Sequence, residues 1–89
     1  MKEVAVLRVA GSSNVKSVAG SITKSLEEGK IVEVHTIGAS SINQAVKACA
    51  MARGFIATKG YDLIVRPGFS TTEIDGNEKT ALKLVISIV

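Results

Sequence analysis

From Val4 to Ala10 the chain is a run of Val, Leu and Ala broken only by Arg8, which predicts a strand. Gly11, Ser12, Ser13 and Asn14 then supply turn and N-cap chemistry for a helix. In that helix Val15, Val18, Ala19, Ile22 and Leu26 fall within one stripe about 100° wide, with Lys16, Lys24, Glu27 and Glu28 outside it, and Gly29 ends it. Ile31 to Ile37 reads as a second strand, with Val32, Val34 and Thr36 alternating with Glu33 and His35. Gly38 breaks it. Ser41-Ile42-Asn43-Gln44 has the S-x-x-Q form of a capping box opening a second helix.

The second helix is apolar or small on nearly every side. Its main face carries Ile42, Ala45, Val46, Cys49 and Ile56; Ala48, Met51 and Phe55 form another arc, and Asn43 and Lys47 a polar strip. A helix covering only its own sheet needs one apolar stripe, so Ala48, Met51 and Phe55 are the expected oligomer interface. Arg53 projects to the main apolar side, where it either snorkels or pairs with a carboxylate. Tyr61 to Phe69 is the third strand, with Pro67 arguing for an edge position or a bulge. Asp75-Gly76 suits a two-residue hairpin loop, and Thr80 to Val89 is the fourth strand, with Leu82, Leu84, Ile86 and Ile88 on one face. The order β-α-β-α-β-β predicts an α+β two-layer fold: two helices on one face of a four-stranded mixed sheet, with right-handed crossovers in the first two units.

Composition narrows the class. At 89 residues the chain is expected to be a single domain, 1–89, and its 46% hydrophobic content and mean hydropathy of +0.32 make it too apolar for disorder. The apolar run Leu84 to Val89 predicts a terminal strand covered by neighbours. One cysteine, Cys49, permits no internal disulfide, which agrees with an expected cytoplasmic location. No signal peptide is seen, and nothing approaches the ~18 consecutive apolar residues of a membrane span, so no membrane partner is expected.

Candidate chemistry is sparse. The segment from Gly11 to Ser17 lies between a strand and a helix, but lacks the second glycine of a phosphate loop ahead of Lys16, so it predicts no nucleotide hydrolysis. Ser12, Ser13, Asn14 and Lys16 beside helix amides do suit a backbone phosphate; the plainer role is helix capping by Ser12 or Ser13. His35 and Cys49 together cannot make a structural zinc site, and Cys49 among alanines is a packing residue. Glu73, Asp75 and Glu78 read as solvated carboxylates on the hairpin. No catalysis, metal or cofactor is implied.

A net charge of +3 permits binding to phosphate backbones without announcing it. Three aromatic residues, Phe55, Tyr61 and Phe69, argue against base stacking on the sheet, so any nucleic-acid contact is expected to be backbone-directed.

Gly38-Ala39, Asn43-Gln44-Ala45-Val46-Lys47-Ala48 and Ala52-Arg53-Gly54-Phe55 resemble the stage V sporulation protein S family. So do Ser17-Val18-Ala19-Gly20, Asp62-Leu63-Ile64, Ile74-Asp75-Gly76 and Thr80-Ala81-Leu82-Lys83-Leu84, which extends the likeness over nearly the whole chain. That family resembles Alba-like proteins, whose fold has the same β-α-β-α-β-β order and which assemble as dimers and bind DNA or RNA. The resemblance implies a regulatory nucleic-acid-binding protein of sporulation or of related control of development or division. It would act as a homodimer or tetramer, with DNA or RNA held through Ser12, Ser13, Asn14, Lys16, Lys47 and Arg66. Two departures are plain: Ser12 and Ser13 stand where Alba proteins carry a basic pair, and the hairpin carries Glu73, Asp75 and Glu78 against Lys79. The alternative expectation is a non-catalytic protein-interaction or assembly module.

Overall fold

The computed structural model describes residues 2–89 and shows β1 (Val4–Val9), α1 (Val15–Glu27), β2 (Ile31–Thr36), α2 (Ala39–Ala57), β3 (Leu63–Ile74) and β4 (Asn77–Ile88). The sheet order is β1-β2-β4-β3, with β1 and β2 parallel and the other neighbours antiparallel. This is the expected mixed sheet with two helices on one face. The terminal strand β4 lies between β2 and β3, which explains why its apolar run carries no polar interruption before Ser87. Pro67 is on β3, an edge strand, where a missing N–H disturbs no second ladder.

The stripe on α1 buries Ala19, Ile22 and Leu26, and the alternating face of β2 buries Val32, Val34 and Thr36. Ile56, Leu84 and Ile86 join them from α2 and β4. The buried side of α2 differs from the expected one. It consists of Ser41, Ala45, Ala48, Cys49, Ala52 and Ile56, whereas Val46 is 53% exposed. Small residues let the helix lie close to the sheet and to α1. Ala48, expected at an oligomer interface, is 0% exposed within the chain and has no surface to give to a partner.

The expected capping box is absent. Gly38, at φ +89°, takes the N-cap position three residues ahead of Ser41, and no side chain caps that end. Ser41 is buried inside the first turn, its hydroxyl shared between the carbonyls of Ile37 (2.6 Å) and Gly38 (2.9 Å). Gln44 turns away from the cap and donates from Nε2 to the carbonyl of Ser13 at 2.9 Å.

Arg53 takes the carboxylate alternative. Its Nε donates to Asp62 Oδ1 at 2.8 Å and its Nη2 to Oδ2 at 3.3 Å, while Asp62 Oδ1 also accepts from the Leu63 amide at 2.8 Å. Arg53 and then Leu63 hold the Asp62 carboxyl below its ordinary range. A carboxyl depressed in the folded state stabilises above its unfolded pKa, and the benefit is lost as pH falls through the folded value. Asp62→Asn is therefore expected to lower the urea midpoint at neutral pH and to converge with the parent protein in acid. The pair is exposed, so solvent screening keeps the effect modest.

Candidate nucleic-acid interface

Parallel β1 and β2 both point their carboxyl ends at one edge of the sheet, and β3 runs the same way because both it and β2 are antiparallel to β4. Three features therefore gather at that edge: the β1–α1 loop, the start of α2, and the β3–β4 arm. The last rung shared by β2 and β4 is Thr36 with Leu82, so residues 70–81 project beyond the sheet. Five rungs make an arm of about 17 Å. Asp75 (φ +52°) and Gly76 (φ +77°) both take the left-handed conformation that a tight two-residue hairpin turn requires.

The loop is tied down on both sides. Asn14 Oδ1 accepts from the Ser17 amide at 2.9 Å, which makes Asn14 the N-cap of α1. Ser13 Oγ accepts from the Ala10 amide at 2.9 Å, so it closes the preceding turn rather than capping the helix. Ser12 is exposed and makes no side-chain hydrogen bond among the described residues. A Cβ on Gly11 would collide with the Ser40 side chain, and this close approach seats the loop against the first turn of α2. Lys16 is exposed on the first turn of α1.

The other expected contact residues are not all brought to this edge. Lys47 is exposed on α2 but stands eight residues after the first residue of the helix, about 12 Å down its axis. Arg66 pairs in register with Val85, on the sheet face that carries no helices. Ser12, Ser13, Asn14 and Lys16 are together, Lys47 lies farther along the helical layer, and Arg66 is across the sheet from it.

Two basic residues were missed from sequence. Arg8 is in register with His35, and His35 with Lys83, giving a cross-strand row over β1, β2 and β4 on the helix-free face. His35 Nε2 lies 3.1 Å from Glu33 Oε1, the carboxylate accepting from the ring. Arg8 and Lys83 form no ion pair among the described residues. The available signal was Arg8 itself, a charge inside an otherwise apolar strand.

Burial pushes the Cys49 thiol up to about 11, which keeps it protonated and inert. Among the described residues no group of three or more His, Cys, Asp or Glu side chains is placed to hold a metal ion. Among the described residues no helix is long and apolar enough to cross a membrane.

The sequence model of the stage V sporulation protein S (SpoVS) family matches residues 5–89. The chain belongs to the stage V sporulation protein S family. Its fold is also that of Alba from Thermoplasma volcanium, with a TM-score of 0.62 over 93% of this chain and 96% of that one. At 10% identity this likeness concerns the fold alone. Membership of the family accounts for the sequence motifs in α2 and the hairpin, and connects the chain with sporulation.

The apolar surface of the family member has a second feature. Ile42, Val46 and Arg53 share one side of α2, and Arg53 reaches Asp62 just ahead of β3, so that side faces β3. Along the helix-side positions of β3, Leu63 is buried, Val65 half-buried, Pro67 exposed and Phe69 81% exposed. The helices do not reach over its upper half. Met51 and Phe55, 37% and 42% exposed, lie on the opposite side of α2 with Gln44, toward the α1 loop.

Proposed function

We propose that the protein is a non-catalytic, regulatory nucleic-acid-binding protein that works as a homo-oligomer and holds DNA or RNA by its backbone. One observation carries this reading: the β1–α1 loop with Ser12, Ser13, Asn14 and Lys16, the start of α2 and the projecting arm all occupy the same edge of the sheet. The exposed Ser12 hydroxyl, the half-buried Ser13 hydroxyl, helix-end amides and Lys16, beside a loop fixed by Gly11, suit phosphate oxygens. Lys47 of α2 extends the contact along the helical layer, and Arg66 serves a strand that wraps to the other face of the sheet.

Oligomerisation is supported by the uncovered apolar margin of Val46, Pro67 and Phe69 beside α2, with Met51 and Phe55 giving a smaller second margin toward α1. A two-fold pairing through the larger margin would set two arms and two loops on one assembly.

Lys16→Glu tests the phosphate contact. Its affinity for any duplex or single strand is expected to fall about tenfold irrespective of sequence, with the salt dependence shallower by about one phosphate. Fluorescence anisotropy at several salt concentrations measures both, and an unchanged affinity would remove the loop from the interface.

A second reading, as a protein-interaction module, is favoured by the arm's tip. There Glu73 faces Glu78 directly across the ladder and Asp75 occupies the turn, so the tip repels phosphate and suits a cationic partner. Pull-downs that recover protein and no nucleic acid, with no binding of DNA or RNA at low salt, would establish that reading instead.

A further inference from the structure

The arm does more than project. A hollow of about 490 Å³ lies at its base, and its lining includes Arg8, His35, Ile37, Ser70, Thr72 and Ala81. By register and alternation these six residues all occupy the helix-free face, and they come from all four strands or their ends. Val9, Gly11, Thr36 and Thr71 also line it, so the hollow sits at the end of the sheet between the β1–α1 loop and the arm, which forms one wall. The volume falls within the range of about 300 to 1,000 Å³ usual for small-molecule sites.

The lining divides by chemistry. Ala81 is buried and Ile37 partly exposed, giving an aliphatic surface against which a flat ring can lie. Ser70 and Thr72 add hydroxyls, each able to donate or accept, beside that surface. Arg8 stands at the β1 side of the lining, and Lys83 lies beyond His35 in the same cross-strand row, outside the lining; neither forms an ion pair among the described residues. Glu33 engages His35, which leaves Arg8 as the cation of the lining with no ion pair among the described residues. A guanidinium fork matches two oxygens of a phosphate group.

We infer that this hollow binds one nucleotide unit, its base against Ile37 and Ala81 with an edge toward Ser70 and Thr72, and its phosphate on Arg8. The inference rests on the nucleic-acid reading above and adds a preference to it. A base stacked and paired in a duplex cannot enter, whereas an unpaired nucleotide can be splayed out of a strand. The same unit could come from a free mononucleotide, and the experiment separates the two sources.

Amide chemical shifts of the full chain, followed while adenosine monophosphate, an unstructured oligonucleotide or a duplex of equal length is added, provide the test. Arg8, His35, Ser70, Thr72 and Ala81 are expected to shift with the mononucleotide and the single strand. Arg8→Ala is expected to weaken single-strand binding about tenfold and duplex binding less than about twofold. Ser70→Leu, which fills the hollow without changing charge, is expected to abolish the mononucleotide shifts; a native-like spectrum for each variant establishes that it folds. Shifts from the mononucleotide with no binding of any strand would keep the hollow, assign it a free nucleotide, and sink the nucleic-acid reading. Strand binding that leaves the hollow silent, equal losses on single strand and duplex for Arg8→Ala, or hollow shifts that follow protein concentration alone would overturn the proposal, the last by showing that a second copy fills the site.

Discussion

Replacing Ile22 by alanine is expected to destabilise the protein by about 3 kcal/mol, measured as a lowered urea midpoint at unchanged m-value. Ile22 is fully buried on the central line of the α1 stripe, in the core cluster with Val32, Val34 and Ile86. Truncation removes transfer free energy and leaves a cavity in a core whose other helical members include the small Ala19, Ala45, Ala48 and Ala52. A small domain has only about 5 to 10 kcal/mol in total, so the loss takes a large fraction of its stability. An effect under about 1 kcal/mol would mean that α1 packs less tightly than its burial indicates.

Phe69→Asp is expected to act on assembly and leave the protomer folded. The side chain is 81% exposed and contributes little to the core. If Val46, Pro67 and Phe69 form the oligomer surface, a carboxylate placed there must be desolvated without a partner, and association should weaken at least about thirtyfold. Sedimentation across a range of protein concentrations should show the parent sedimenting as an oligomer and the variant as a monomer. An identical concentration dependence for both would place the interface elsewhere, with the margin at Met51 and Phe55 next to examine.

The fold was legible where burial writes a pattern. The α1 stripe, the alternating β2 and the central β4 were readable because each has one face or both in the core, and Pro67 correctly marked an edge. The arm was underestimated for the opposite reason. Residues 70–80 are mostly polar and uncover both faces, so their ladder leaves no alternation in the sequence. The start of α2 was misplaced because Ser41 bonds back to Ile37 and Gly38, a burial that composition cannot distinguish from a cap. Ala48 was assigned outward because a helix of small residues gives the periodicity little contrast; the sheet, not the sequence, decides which alanines it covers.

The site divides in the same way. Ser12, Ser13, Asn14 and Lys16 are sequence neighbours, so their grouping was available in advance. The row of Arg8, His35 and Lys83 depends on which strands pair and in what register, information that no single segment contains. Arg66 shows the converse: its charge was visible, but only the register with Val85 reveals that it faces away from Lys47.

The most direct test of the central claim is the affinity of the intact protein for labelled duplex DNA and single-stranded RNA, measured as salt is raised from low to moderate concentration. Binding at low salt is expected, with the logarithm of the association constant falling linearly against the logarithm of salt, by about 0.9 per phosphate contact on duplex and 0.7 on single strands. No binding to either at low salt, or binding indifferent to salt, would contradict it.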